Sequence, residues 1–322
     1  MNAAVDISFC ILNYNQVELL RECLESCLRE IDASRLVGEL IVIDNGSSDG
    51  SADMVRRLFP QVQLIARTTN GGFAEVNNEA IGRSLGRYLF ILNEDTALLP
   101  GCLQRLTSYM DAHPETGLSG PRILNTDRSV QLGYHRRLPG ILDTVFTLVG
   151  LQSLWRGNPI TARANYSKEL SSRTEAFPIE QVAGCAMFMR RDVLAAITGF
   201  DEKFHFWYED VDLCRRIADA GWAISCVPAA ELVHHGGVSV RQQQVALLIV
   251  WRTESLLRYF RTHSSPKRYA AVRVAVALAI TLRLPVAAFM SFSPKPATRR
   301  RWAGSTQAYF GTLMRIARSG SD

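Results

Sequence analysis

Acidic residues almost vanish from the end of this chain: across residues 251–322 only Glu254 and Asp322 stand against 13 lysines and arginines. That segment carries a net of +11, while residues 1–250 hold 23 basic and 29 acidic residues, a net of −6. The overall +5 conceals a basic tail on an acidic body. Few aromatic residues interleave with the tail's charges to stack on bases, so no nucleic-acid partner is expected. Cysteine is scarce and unpatterned. Cys10, Cys23, Cys27, Cys102, Cys185, Cys214 and Cys226 form no CxxC pair and no zinc-type spacing. This argues against a metal–thiolate centre, and the seven read as reduced cytosolic thiols filling the core. Internal repeats and low-complexity stretches are missing. The chain also reaches a strand-like run at Ile7 without a basic or long apolar leader, so no signal peptide is expected.

What is present is ample apolar material, 47% of the chain, in an order that specifies a fold class. Strand-like and helix-like segments alternate: Ile7–Leu12, Gln16–Arg29, Glu39–Ile43, Ser51–Phe59, Val62–Ala66, Phe73–Ser84 and Tyr88–Leu92. Such a βαβ series builds an α/β domain on a mostly parallel central sheet flanked by helices. The expected organisation is an α/β domain over residues 1–250, in halves of about 1–125 and about 126–250. A helical, basic extension follows over 251–322. Between Leu132 and Thr174 the periodicity weakens into loop and short helix, punctuated by Gly133, Pro139, Gly150, Gly157 and Pro159, as suits a flap over an acceptor.

Several clusters carry chemistry. The apolar run Tyr88–Leu92 stops in Asn93-Glu94-Asp95, which delivers oxygen ligands to the carboxyl end of a buried strand, where α/β sheets bind ligands. Those residues suit a hard divalent cation on a diphosphate, or else cap a helix starting near Pro100. Asp44 ends the second strand before Asn45-Gly46-Ser47-Ser48-Asp49-Gly50-Ser51, a position for a base or ribose, or for helix capping. Asn70-Gly71-Gly72-Phe73, with Asn77 and Asn78 behind it, lets backbone approach a ligand or simply turns the chain. From Gly199 to Arg216, five acids lie among aromatics. Capping explains one or two of them, and a water-poor surround suits a general base. Asp212 and Arg216 are spaced to form a supporting ion pair. His234-His235 before Gly236-Gly237 suit a metal or phosphate contact as well as a structural role.

The tail's stretch Ala270–Phe292 is apolar, but Arg273, Arg283 and Pro285 interrupt it. A charge at mid-bilayer is costly, so lying on a membrane surface is expected rather than spanning. Basic residues on both sides fit anionic headgroups. The competing reading is a helical subdomain packed on the protein or on a second copy of the chain.

In order, SFCILNYNQ (8–16), IVIDNGSSDGS (41–51), NGGFAEVNNEAI (70–81), YLFILNEDTAL (88–98), the run 182–217 and HHGGVS (234–239) resemble the family 2 inverting glycosyltransferases, in particular the rhamnosyltransferase-like branch. The resemblance covers about residues 5–260. It implies a catalytic GT-A domain with a nucleotide-sugar half of about 1–125 and an acceptor half of about 126–250, and a nucleotide-sugar site in which Asp44 contacts the base, with Leu12 and Tyr14 in the base pocket. Asn70, Gly72 and Asn77 belong to the same site. Asn93-Glu94-Asp95 stands where the family has an Asp-any-Asp metal motif. Asn93 departs from it, so Asp95 becomes the main ligand of Mg²⁺ or Mn²⁺ and Glu94 has a supporting role. His234, with His235 as its rival, completes the metal shell or touches the diphosphate. Asp210 is the implied catalytic base, with Glu209 next in line. The implied reaction moves L-rhamnose from dTDP-L-rhamnose, with a UDP-sugar as the second option, to a polysaccharide or lipid-linked saccharide at the inner face of the cytoplasmic membrane. A nucleotidyltransferase would share the sheet, but Leu12-Asn13-Tyr14-Asn15 is not its glycine- and basic-rich triphosphate loop. A non-catalytic sugar-binding protein is the other alternative, given Asn93.

Overall fold

The computed structural model describes residues 4–148, 155, 164–236 and 245–318. These form two compact units: the described residues within Met1–Leu138, Asn165–Lys203 and Glu209–Ser239, and those within Pro139–Ala164, Phe204–Tyr208 and Val240–Asp322. Part of the stretch expected as a flap, residues 149–154 and 156–163, lies outside the described residues, as do Gly237 to Ser239 of the last motif.

The first unit opens as β1 (Ile7–Asn13), α1 (Val17–Ser34), β2 (Gly38–Asp44), α2 (Ser51–Leu58), β3 (Gln63–Ala66), α3 (Phe73–Arg83) and β4 (Tyr88–Asn93). It continues with β5 (Thr96–Leu98), α4 (Cys102–Ala112) and β6 (Thr116–Leu124). The second unit's α5 (Ile141–Leu148) follows, and the chain returns with α6 (Ser167–Ser172), β7 (Phe177–Pro178), β8 (Ala186–Arg190), α7 (Arg191–Ile197), α8 (Glu209–Asp219) and β9 (Ala223–His234). The nine strands share one sheet of order β3-β2-β1-β4-β8-β6-β9-β5, with β7 on β9. The block β3-β2-β1-β4 is parallel, β8 joins β4 antiparallel, and β6 pairs parallel with β9.

Alternation along the strands divides the core. Phe9, Val42, Phe90 and Leu92 face one layer with Leu20, Leu24, Leu103 and Leu106 of α1 and α4. Cys10, Ile41, Leu89 and Ile91 face the other, with Ala74 and Val76 of α3 and Leu213 and Ile217 of α8. Successive side chains on a strand point to opposite faces, so strands covered on both sides read as continuous apolar runs. All seven cysteines are free and buried.

Two boundaries differ instructively from the sequence reading. Helix α1 runs on past Arg29 to Ser34 because Leu28 and Ile31 still pack on the core and Glu30 is buried. The Glu30 carboxylate accepts the backbone N–H groups of Gly101 and Leu103, both at 2.9 Å. The helix beyond Pro100 is therefore capped by Glu30, which leaves Asn93-Glu94-Asp95 free of that duty. Between them lies β5, too short to read from sequence, which pairs Thr96 with His234 on β9.

In the second unit, α9 (Val245–His263), α10 (Pro266–Met290) and α11 (Pro296–Arg318) pack on one another, and α5 packs on α10. Phe204 to Tyr208 belong to this unit too. Trp207 and Tyr208 adopt left-handed backbone, φ 63° and 68°. Such conformations cost about 1–2 kcal/mol for each residue with a side chain. They are held by packing of Tyr208 on Tyr259 and by the Arg252 guanidinium over Trp207.

Candidate active site

Strand register sets up the nucleotide end. Asn13 of β1 pairs with Asp44 of β2, and Leu12 with Asn93 of β4, so the carboxyl ends of three parallel strands meet. Asp44 is buried. Its Oδ1 accepts Asn13 Nδ2 at 2.7 Å, and its Oδ2 accepts the Ser47 N–H at 3.3 Å. The loops after β1 and β2 zip together. Ser47 Oγ accepts the Asn15 N–H, Asn15 Oδ1 accepts the Ser48 N–H, and Asp49 accepts the Val17 N–H at the start of α1. Asn15 takes a left-handed φ of 52° to make this turn. Asn45 ties in the next loop, donating to Asn70 Oδ1 and to the Gly71 carbonyl. Leu12 and Tyr14 are half-buried beside these loops, and Gly72 caps α3 in ordinary extended backbone. Asn77 is buried, and its amide donates to the Phe73 carbonyl one turn earlier in α3.

The Asn93-Glu94-Asp95 turn meets His234 through the β5–β9 pairing. His234 Nε2 lies 3.3 Å from Asp95 Oδ1, with both side chains at most 4% exposed, and the Asp95 carbonyl accepts the His235 N–H at 2.9 Å. Gln131 orients the ring. Its Nε2 donates to Asn125 Oδ1 and to the His234 carbonyl, so its Oε1 is the group 2.7 Å from His234 Nδ1. Nδ1 is thereby the donor, and in the neutral imidazole Nε2 presents a lone pair towards Asp95. Asp95 Oδ1 has no hydrogen-bond partner. Two buried electron-pair donors facing each other suit a divalent cation. Among the described residues no three His, Cys, Asp or Glu gather, so Mg²⁺ or Mn²⁺ would have Asp95 and His234 as protein ligands and fill its shell from diphosphate and water. His235 instead places Nε2 3.3 Å from Glu22 on α1. Glu94 is buried, and Asn93 is half-buried.

Asp210 sits in the first turn of α8. Gln181 Nε2 and the Gly184 N–H donate to its Oδ2 at 3.1 and 3.0 Å, and the Val211 N–H donates to Oδ1 at 2.8 Å. A Cβ on Gly184 would come within 3.3 Å of the Asp210 side chain, so glycine permits this close backbone approach. Burial raises the Asp210 carboxyl above the usual range, while these three donors and Arg136 pull it back down. Glu209 is buried, with Oε2 unpartnered. Desolvation and the neighbouring Asp210 charge push its carboxyl well above the ordinary value. Burial thus raises both adjacent carboxyls, and the donors around Asp210 oppose that rise. Arg216 donates to Asp212 at 2.8 Å and to the carbonyls of Ile197 and Gly199, fixing α8 to the end of α7.

The backbone of Gly184-Cys185 links the two carboxylate regions. The Gly184 N–H reaches Asp210, and the Cys185 carbonyl accepts the Asn93 N–H at 3.1 Å. The Cys185 thiol feels both charges, since Asp95 and Asp210 each add to the rise that burial imposes on it. Gln131, Gln181 and Asn13 were not identified from the sequence. Glutamine and asparagine carry no pattern that separates a buried anchor from a surface amide. On the ladder where Arg136 bridges Gln181, the next residues Arg137 and Glu180 line a cavity of about 380 Å³ with Tyr166, Arg173 and Phe177.

The Glycosyl transferase family 2 profile matches residues 8–198, and that of the N-terminal domain of galactosyltransferase matches residues 164–236. The chain is 30% identical over 208 residues to the N-acetylglucosaminyl-diphospho-decaprenol L-rhamnosyltransferase of Mycobacterium tuberculosis, a match covering 61% of this chain and 66% of that protein. It is 23% identical to the O-antigen biosynthesis protein RfbC of Myxococcus xanthus over 78% of this chain and 19% of that one. Among solved structures, the mannosyltransferase PcManGT of Pyrobaculum calidifontis, in complex with GDP-Man and Mn²⁺, superimposes with a TM-score of 0.54 at 17% identity, over 97% of this chain and 88% of that one. GalNAc-T7 with UDP, GalNAc and Mn²⁺ gives 0.53 at 14% identity, over 81% and 51%. The fold is GT-A, and the chain belongs to glycosyltransferase family 2, with a rhamnosyltransferase among its relatives.

Proposed function

We propose that this glycosyltransferase inverts: it moves L-rhamnose from dTDP-L-rhamnose to a hydroxyl of a polysaccharide or lipid-linked saccharide. The observation that carries the reading is the link through Gly184-Cys185 between Asp210 and the strand leading to Asp95 and His234. One side holds electron-pair donors for a cation on the leaving diphosphate, and the other holds a carboxylate for the acceptor. Asp44 and the loops tied to it receive the base, with Leu12, Tyr14, Asn70 and Gly72 beside it. Asp210 takes the acceptor's proton as the hydroxyl oxygen attacks the anomeric carbon from the face opposite the diphosphate. One displacement inverts that centre. A cation held by Asp95 and His234, with Glu94 in support, would supply charge neutralisation to the departing nucleoside diphosphate. L-Rhamnose and a diphosphate-linked lipid acceptor are favoured by the activity of the mycobacterial relative. A UDP-sugar is the second donor. The enzyme is expected to work in the cytoplasm, held at the inner membrane face through residues 251–322. The domain division is proposed as residues 1–250 and 251–322.

The test is release of nucleoside diphosphate from a panel of dTDP- and UDP-sugars with Mg²⁺ or Mn²⁺, comparing the parent with Asp210→Asn and Asp95→Ala. Transfer by the parent and its loss in both variants supports the reading. Equal turnover in all three would overturn it, and binding without turnover in the parent would favour the sugar-binding alternative.

A further inference from the structure

Helix α10 is long and apolar enough to cross a membrane: 25 residues, or about 37 Å at 1.5 Å each. Its packing says otherwise. One face, Val272, Ala275, Val276, Ala279, Ile280 and Ala287, is buried against the second unit's own helices. Those neighbours carry exposed Arg261 on α9 and Arg299, Arg300, Arg301 and Arg318 on α11, which a spanning α10 would drag towards hydrocarbon. The other face is apolar as well. Val274, Leu278, Leu282 and Val286 recur every fourth residue, followed by Phe289 and Phe292, and all six are between 55% and 84% exposed. Arg273 and Arg283, the basic residues within this stretch, are half-buried and donate to the Ile316 and Ala279 carbonyls.

Charge identifies what covers this face. Exposed Lys267 and Arg268 stand at one end, and Lys295 with Arg299 to Arg301 at the other. Of the acids on helices packed with α10, Glu254 on α9 is paired with Arg315 of α11 at 2.8 Å, and Asp143 lies in the first turn of α5. No Asp or Glu occurs from residue 255 to residue 321. An apolar strip bounded at both ends by clustered cations matches a surface with an apolar interior and anionic headgroups. The geometry points to α10 lying in the plane of an anionic phospholipid bilayer, with Val274, Leu278, Leu282, Val286, Phe289 and Phe292 inserted and the basic residues at both ends on the headgroups. This rests on the membrane contact proposed above and specifies which face makes it and in what orientation.

The test is co-sedimentation of the full chain with vesicles of phosphatidylcholine, alone or mixed with phosphatidylglycerol. The variants are Leu278→Gln/Leu282→Gln/Phe289→Gln and Arg299→Gln/Arg300→Gln/Arg301→Gln. All six changes are at exposed positions, and unchanged thermal midpoints would show that the fold is kept. The parent should bind the mixed vesicles, and the apolar variant should bind at least about a hundredfold more weakly, since even partial insertion of three large side chains contributes that much. The arginine variant should lose most of its preference for phosphatidylglycerol. If the parent binds and the apolar variant binds equally, the face is wrong while the membrane reading stands. If the parent ignores vesicles, both fall. If the parent is a dimer and the apolar variant a monomer with no lipid binding by either, the strip is a self-association surface and the inference is overturned.

Discussion

His234 Nε2 lies 3.3 Å from Asp95 Oδ1, although one residue ends β9 and the other sits in the turn before β5. The Gln131 amide, fixed by its own two acceptors, holds the histidine in the tautomer that offers Nε2 to that carboxylate. Three residues from separate parts of the chain thus set two buried electron-pair donors face to face, with consequences for binding, rate and stability.

Gln131→Leu should weaken Mn²⁺ binding by about tenfold, because a ligand histidine freed from its outer partner loses its orientation and tautomer. The resonance of free Mn²⁺ in an electron paramagnetic titration, with nucleoside diphosphate present, measures this without turnover. Asp95→Ala should abolish saturable binding. Parent-like affinity in Gln131→Leu would show that the ring is oriented by something else, such as the Tyr134 edge packed on it at 4.9 Å.

Asp210→Asn should lower kcat by about 10²- to 10⁴-fold, the range for losing a general base, while leaving donor affinity nearly intact. Gln181→Met removes one donor that lowers the Asp210 pKa. The carboxyl then keeps its proton to higher pH, so the acidic limb of the kcat profile should move upward. An unmoved limb would mean that the Gly184 and Val211 N–H groups suffice.

Glu209→Gln should stabilise the protein in the neutral range. The folded pKa of Glu209 is raised, so the native state holds a proton that the unfolded chain has already released. Stability attached to that proton is intact below the unfolded value of about 4.5 and falls as pH rises through the folded value. Urea unfolding across this range should show the variant's advantage growing with pH. A constant difference would contradict the linkage.

His135 acts with the opposite sign. Burial lowers it from 6.5 to about 4, while its Nε2 sits 2.7 Å from the Pro121 carbonyl. The unfolded chain takes up a proton first as pH falls below 6.5, so stability is lost between 6.5 and about 4. His135→Gln lacks this term. Its deficit relative to the parent should narrow by about 2–3 kcal/mol between neutral pH and the acid end of that window, read by urea unfolding.

Local pattern was enough for the parallel block, because buried strands are continuous apolar runs whose ends are marked by Asn13, Asp44 and Asn93. The Asp212–Arg216 pair followed from helical spacing, and it forms. Short elements were less readable. Strand β5 has three residues and owes its existence to β9, and the far end of α1 depends on Glu30 reaching α4. Asn77 and Asn78 illustrate the limit. Side by side in one motif, Asn77 bonds within its own helix, while Asn78 clasps the backbone of Phe200 with both amide atoms.

The sequence by itself determined the sheet's parallel half, the composition of the acidic body and basic tail, and the residue types gathered at the strand ends, because these depend on periodicity and charge along the chain. Only the tertiary structure decided that His234 rather than His235 meets Asp95, that Glu30 caps the helix the acidic turn might have capped, and which face of α10 is left open. Those outcomes turn on strand register and helix packing between distant segments, and a one-residue change in register reverses them.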